Sequence, residues 1–351
     1  MRQGIAVKRM SEELHIDGSE GEGGGQILRT SFALAAHFGQ TLRVSKIRAG
    51  RPKPGLRRQH LTCVRAIAEL CDGALRGDDI DSSELFFEPG AVAAGEYHFA
   101  VGTAGSACLV FQTVLWPLLF AQGNSRVVFD GGTHNPFAPP FDFIDRAFLP
   151  IVRRMGAKVS AHLERPGFMP AGGGRFVVEI EGDCTLNPIE LCETKPVISR
   201  RATALVANLP GTIAIRELRE VRNLLNWKNE ECLPQVTQDD GGPGNVLLLE
   251  VAREDVAEVA SVIGIRRLAA EDVAAIGAKA INKYLADDVP VGECLADQLV
   301  IPFALAGGGS YRTIAPSLHT TTNIDVVKRF CSVEVAQTTS EHATTLSFTS
   351  V

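Results

Sequence analysis

One order of hydrophobic periods returns along the chain, and it limits the fold more than any single motif. Residues 14–17 read as a short strand, the helical spacing of Ile27, Leu28, Phe32, Leu34, Ala35 and Phe38 follows, and 41–47 reads as strand. A helix over 61–70 and strands over 85–88 and 96–101 complete a strand, helix, strand, helix, strand, strand unit. The order returns as helix 106–120, strand 126–130, helix 141–155 and strands 158–164 and 175–181. A third, partial copy reads helix 292–305, strand 311–314, helix 323–330 and strands 332–337 and 343–349. Strands in adjacent pairs favour α+β layers over a doubly wound parallel sheet. The expectation is an α+β protein in which three repeated βαβαββ units form one large domain.

Between the second and third copies lie roughly a hundred residues, too many for an ordinary loop. They carry their own strand at 201–206, helix at 213–225, strand at 246–251, a mixed apolar stretch through Ile265 and a helix at 270–285. The tract Asp239-Asp240-Gly241-Gly242-Pro243-Gly244-Asn245 is a turn, because Gly and Asn tolerate positive φ and Pro presets its own. We therefore expect a smaller inserted α/β domain over residues 189–288, with 1–188 and 289–351 forming the main domain.

Charge is distributed unevenly. No Asp or Glu occurs between Glu22 and Glu69, whereas Arg29, Arg43, Lys46, Arg48, Arg51, Lys53, Arg57, Arg58 and Arg65 all fall there, in a chain whose net charge is -6. A local basic segment on an acidic protein suits a polyanionic ligand held at one place better than an indiscriminate nucleic-acid coat. With 351 residues and 45% hydrophobic content the chain can build a large core. No apolar run is long enough to span a membrane, and residues 1–13 lack a signal-peptide centre, so the expected address is the cytoplasm. The cysteines Cys63, Cys71, Cys108, Cys184, Cys192, Cys232, Cys294 and Cys331 form no C-x-x-C pair and read as reduced.

Gly21, Gly23, Gly24 and Gly25 bring backbone N–H groups within reach of a phosphate, and a helix starting near Gln26 adds its positive end. Taken alone, an ordinary glycine turn accounts for them equally well. Glu22 inside that loop repels a phosphate unless a divalent cation lies between them, which makes it a candidate metal ligand. From Arg48 to His60, glycines and prolines alternate with arginines, whose planar forks suit phosphate; a solvated basic loop is the plainer alternative. Pro136-Phe137-Ala138-Pro139-Pro140-Phe141 offers flat apolar surfaces for a base, or simply a Pro-rich helix entry with core phenylalanines. Asp297 and Gln298 sit on a helix opening after Gly292. His319, in a turn entering a helix, is a candidate nucleophile, although a single histidine there also serves as a cap, as do His60 and His134.

Taken in order, Gly21-Glu22-Gly23-Gly24-Gly25-Gln26, Ile47-Arg48-Ala49-Gly50-Arg51, Gly55-Leu56-Arg57-Arg58-Gln59-His60, Gly131-Gly132-Thr133-His134-Asn135-Pro136, Leu295-Ala296-Asp297-Gln298-Leu299 and Pro316-Ser317-Leu318-His319 resemble the RNA 3'-terminal phosphate cyclases nearly end to end. The resemblance implies ATP and a divalent metal (Mg or Mn), and as partner an RNA with a 3'-terminal phosphate. A histidine would be adenylylated, AMP would pass to the RNA 3'-phosphate, and the 2'-OH would displace it to leave a 2',3'-cyclic phosphate. It implies His319 as nucleophile, Glu22 as metal ligand, and Arg29, Arg48, Arg51, Arg58 and Gln59 as phosphate or RNA contacts. Gln112, Pro139, Cys294, Leu295, Ala296, Asp297 and Gln298 would form the nucleotide pocket. Two positions depart from the family pattern: Cys294 replaces a usual Tyr, removing stacking area, and Ala315 stands where a His commonly precedes the Pro-Ser pair. A related branch is non-catalytic and acts in ribosomal RNA maturation, and a small-molecule transferase with basic loops for a phosphorylated metabolite is a further alternative; His319 favours the enzyme. Neither membrane association nor an oligomeric state follows from the sequence.

Overall fold

The computed structural model describes residues 13–340 and 342–351; the remainder of the amino-terminal stretch read above for a signal peptide lies outside the described residues. Strand β1 (Leu14–Asp17) leads into α1 (Gly25–Phe38), which ends where Gly39 takes a left-handed conformation. Strand β2 (Leu42–Ser45), α2 (Arg58–Leu70), β3 (Ala74–Arg76) and β4 (Leu85–Glu88) complete a mixed sheet in the order β1-β2-β4-β3, with β1 parallel to β2 and the other pairs antiparallel.

The second sheet takes β5 (Glu96–Ala100), β6 (Asn124–Gly131), β7 (Lys158–Arg165) and β8 (Gly174–Glu181) in the order β5-β6-β8-β7. Its helices are α3 (Ala107–Phe120), capped by Ser106, and a segment made of α4 (Phe141–Phe143), a π-turn at Ile144–Phe148 and α5 (Leu149–Arg154). The predicted strand at 96–101 thus opens this sheet and does not close the first, whose third strand, β3, is too short for periodicity to reveal. The long helix predicted at 141–155 is broken by the π-turn, one residue before Pro150 enters its first turn.

Two-residue β9 (Glu190–Leu191) comes next, followed by a sheet of β10 (Val197–Ala207), β11 (Cys232–Thr237), β12 (Gly244–Arg253) and β13 (Ala257–Ile263) with helices α6 (Thr212–Leu225) and α7 (Ala270–Asp287). Strand β11 escapes sequence reading because its exposed residues do not alternate and Pro234 interrupts it; it lies at the sheet edge, the place where proline is tolerated. Finally α8 (Glu293–Ala306), β14 (Gly308–Thr313), α9 (Leu318–Phe330), β15 (Val333–Thr339) and β16 (Thr344–Ser350) build a sheet ordered β15-β16-β14-β9, where β9 pairs parallel with β14 across the whole intervening segment. Among the described residues the chain is thus α+β, with four mixed sheets.

The α1 helix packs on α2, α3 and α9, and α8 packs on α9, so helices from three of the sheets meet in one apolar layer with Phe32, Phe111, Trp116 and Phe303 buried. The sheet of β10 to β13 has its own apolar cluster under α6 and α7, around Val206, Val221, Leu249 and Ile281. The helices that carry the candidate residues are therefore tied to one another through the central layer.

One cost in the second cluster is measurable. Glu217 of α6 is fully buried; its Oε2 accepts Asn245 Nδ2 at 3.1 Å, its Oε1 has no partner among the described residues, and burial pushes its pKa up to about 7. Because the folded-state pKa exceeds that of the unfolded chain, the folded protein holds a proton between roughly pH 4.5 and 7 that the unfolded chain releases. Stability therefore falls as pH rises through that window and is level above it. Glu217→Gln is expected to stabilise by about 1–3 kcal/mol at pH 8 and by little near pH 4.5. Thermal melts at the two pH values check this; an equal change at both refutes the ionisation argument.

Candidate active site

Residues 18–24 link β1 to α1 and are seated on α9. Gly21 adopts φ +54°, and a Cβ there would stand 2.3 Å from Thr322 Oγ1, so both conformation and space demand glycine. The same Thr322 hydroxyl accepts the Glu22 N–H at 2.9 Å. Glu22 Oε2 accepts the Gly24 N–H at 2.7 Å, and its Oε1 is paired with Arg51. These contacts bring the glycine loop and the basic segment against the histidine helix, which Glu22 meets across 300 positions of sequence.

His319 lies in the first turn of α9, after the N-cap Ser317, whose hydroxyl accepts the Thr320 N–H at 3.2 Å. The imidazole is exposed, and its Nδ1 is 2.7 Å from Gln26 Oε1. Gln26 Nε2 in turn donates to Asp297 Oδ1, which also receives Asn323 Nδ2 at 2.8 Å, while Gln298 Nε2 donates to Asp297 Oδ2 at 2.8 Å. Thr30 Oγ1 donates to Asn323 Oδ1 at 2.7 Å, which fixes the direction of the Asn323 amide. A carboxylate only accepts, so Asp297 aligns the Gln26 amide with its oxygen toward His319. In the neutral ring Nδ1 then carries the proton and Nε2 keeps its lone pair. Burial raises the Asp297 pKa, and Gln26, His319, Arg29 and Asn323 oppose that rise.

Beside this relay a cleft is lined by Gln26, Arg29, Gln112, Asp297 and Gln298, with Trp116 forming part of its apolar wall. Gln112 Nε2 donates to Gln298 Oε1, joining α3 to α8. Near its mouth, the pKa of His60 is pushed down to about 3, first by burial and then by Arg29, Arg48 and Arg57, so its ring is neutral at pH 7. His60 Nδ1 accepts the Arg57 N–H at 3.2 Å, which leaves the Nε2 proton directed at Gly25. Arg48 also has a lowered pKa, from burial and then from Arg57 and Arg51, and donates to the carbonyls of Lys53 at 2.7 Å and Gly55 at 2.9 Å. Burial accounts for most of both shifts, and the neighbouring arginines add a cationic field that a polyphosphate would relieve.

The basic segment is less uniformly charged in space than in sequence. Arg43 pairs with Glu13, Lys46 with Asp17, Arg51 with Glu22, Arg57 with Asp81 and Arg65 with Asp78, all carboxylates from outside the acid-free run. Arg58 is exposed at the start of α2, and Gln59 Oε1 accepts the Ser106 N–H at 2.9 Å, joining α2 to the cap of α3. Leu295 and Ala296 are buried, so only their backbone can meet a ligand, and Tyr311 Oη already donates to the Ala296 carbonyl at 2.7 Å. Cys294 is exposed, and Pro139 stands half-buried in the loop before α4. In that loop Phe137 is 92% exposed whereas Phe141 is core, which separates the two readings of the Pro-rich stretch residue by residue. His134 is structural: fully buried, it lies 2.9 Å from Asp142 Oδ2 and 2.8 Å from Thr133 Oγ1.

Thr30, Thr322 and Asn323 had escaped sequence reading. A polar residue four positions after a helical histidine, as Asn323 is after His319, lies on the same helix face and is the signal that could have found it. Among the described residues no group of three or more His, Cys, Asp and Glu could hold a metal ion, and each Glu22 oxygen already has one partner, Arg51 and the Gly24 N–H. These residues do not fit a resident metal held by protein ligands alone.

Comparison with known proteins agrees with the sequence resemblance. A family profile described as RNA 3'-terminal phosphate cyclase matches residues 20–336. A protein of Ectopseudomonas mendocina (strain ymp) named RNA 3'-terminal phosphate cyclase is 47% identical over 326 residues, spanning 93% of this chain and 94% of that protein. The chain belongs to the RNA 3'-terminal phosphate cyclase family.

Proposed function

We propose that the chain uses ATP to convert an RNA 3'-terminal phosphate into a 2',3'-cyclic phosphodiester, with His319 as the nucleotide carrier. The observation that carries this reading is the alignment of Asp297, Gln26 and His319, which leaves an unprotonated Nε2 on an exposed ring beside a cationic cleft. In the first step Nε2 attacks the α-phosphorus of ATP, a P–N bond forms and diphosphate leaves with the bond electrons. An oxygen of the RNA 3'-phosphate then attacks the same phosphorus and the histidine departs. The adjacent 2'-OH attacks the RNA phosphorus, and AMP leaves as the cyclic diester closes. Capping supplies the leaving group that a terminal monoester lacks, and the neighbouring hydroxyl profits from proximity.

In this reading the cleft at Gln112 and Gln298, with Cys294, Asp297 and Pro139 around it, receives the nucleoside, and Leu295 and Ala296 contribute backbone. Arg29, Arg48, Arg51, Arg58 and Gln59 meet phosphates. The amino ends of α1 and α9 converge on the same region and favour the developing negative charge. A divalent ion enters, if at all, already bound to the triphosphate, and no step here depends on it.

The shared strand order of three of the sheets supports their reading as copies of one βαβαββ unit, with the third copy interrupted after β9. The segment read above as 189–288 is then an inserted domain that begins just after Leu191.

The reading is tested by offering RNA ending in 3'-phosphate or in 3'-OH. Only the former should be consumed with ATP; salt-dependent RNA binding with no ATP turnover would instead indicate a non-catalytic factor, and indifference to the end would point to another transferase. Arg29→Ala is expected to weaken binding of the phosphorylated end and to reduce the slope of log K against log salt by about 0.7, the share of one phosphate contact on a single strand. An unchanged slope removes Arg29 from the phosphate path.

A further inference from the structure

The sheet of β10 to β13 meets the start of α8 at Glu258. Helix α8 begins after Gly292, whose φ of -72° and ψ of 169° suit any residue, and no side chain caps it. Glycine is required there by a neighbour: a Cβ would stand 2.4 Å from Oε2 and 2.8 Å from Oε1 of Glu258 on β13. Glu258 is 8% exposed, and its Oε2 has no hydrogen-bond partner among the described residues. A buried carboxyl pressed against the positive end of a helix with one oxygen unpaired does not arise from packing convenience, since leaving such an oxygen unpaired is costly.

We propose that Glu258 is a positioning residue: its carboxyl bears on the Gly292 backbone and thereby sets the first turn of α8, where Cys294, Asp297 and Gln298 stand. This rests on the reading that the turn receives ATP. Burial pushes the Glu258 pKa up to about 7, and the Gly292 amide opposes the rise. The other ionisable groups near it are Cys294 and Glu293 of α8 and Tyr284 of α7, with Arg253 of β12 placed over the Tyr284 ring. From the α4 and π-turn side, Asp142 and Arg146 pair with each other, and Arg146 also approaches Glu250 of β12. Above pH 7 the anion is attracted to the helix end; below it that attraction is lost. Cys294 is exposed in the same turn, with Glu258, Glu293 and Asp297 as its charged neighbours, so its reactivity reports the charge on Glu258.

The test uses the full chain with Glu258→Gln and Glu258→Ala, following KM and kcat for ATP in self-adenylylation from pH 6 to 8.5, and the rate at which a thiol reagent labels Cys294, located by peptide mass. Glu258→Ala is expected to raise KM about tenfold with kcat within about twofold. Glu258→Gln keeps the shape, so it should behave at every pH as the wild type does at pH 6, losing the change in KM across pH 7. Without ATP, Cys294 in Glu258→Gln should label about threefold faster than wild type at pH 8, because a nearby anion is gone. Wild-type KM and wild-type labelling in either variant would overturn the proposal. Protection of Cys294 by ATP in the wild type tests the nucleotide reading separately: without protection that reading fails, while the labelling rates still decide whether Glu258 governs the turn.

Discussion

His319→Ala is expected to abolish transfer of AMP from α-labelled ATP to the protein, a loss of at least about 10³-fold, while leaving the fold intact. The side chain is exposed and Ser317 caps the helix independently of it, so alanine removes the proposed nucleophile without opening a core cavity. The wild-type adduct should be labile in acid and stable in alkali, as a phosphorus–nitrogen bond is and an acyl phosphate is not. Equal labelling of the variant, or an acid-stable adduct, would exclude this histidine. Cyclisation should fall in parallel, because the RNA phosphate has no other source of a leaving group in the proposed sequence. RNA binding should remain, since the arginines lie on other elements.

Asp297→Asn should lower the rate of self-adenylylation by about 10³-fold or more although the substitution is nearly isosteric. The carboxylate now accepts from Gln26, Asn323 and Gln298. An asparagine brings an NH₂ into that ring of donors, and the favourable response is for the Gln26 amide to turn over. Its nitrogen would then face His319 and donate to Nδ1, moving the ring proton to Nε2 and removing the attacking lone pair. The thermal midpoint should shift far less than the rate does. Activity within about tenfold of wild type would show that the tautomer is not set through Gln26. Double substitution with His319→Ala should add nothing to the loss, because both changes act on the same atom.

How much of this was legible in the sequence differs between elements. Helix α1 and strands such as β4 and β8 follow from periodicity, because each buries a preferred face, whereas α3 and α8 follow from apolar runs buried around most of their circumference. Strand β3, with three residues, and β9, with two, are too short to carry a period, and they exist because longer neighbours offer them hydrogen-bond partners. For that reason the strand at β5 was attached to the wrong sheet: hydrophobic pattern marks a strand but not which edge it joins. The acid-free run is likewise less uniformly basic in space than along the chain, since Asp17, Asp78 and Asp81 fold back onto Lys46, Arg65 and Arg57.

The site divides along the same line. From residue types alone came a glycine loop, a basic segment, a histidine at a helix start and an Asp-Gln pair on another helix, each with a plain structural alternative, and only their order in the chain linked them to a known family. Which of them touch was decided in three dimensions. Gln26 meets His319 across 293 positions and Asp297 across 271, and the proton on Nδ1 follows from those two hydrogen bonds. Local sequence determines what a side chain can donate or accept and which face of its own element it occupies. Tertiary packing of α1, α8 and α9 determines which donor meets which acceptor, because directional bonds between distant segments form only after apolar burial has set the helices side by side.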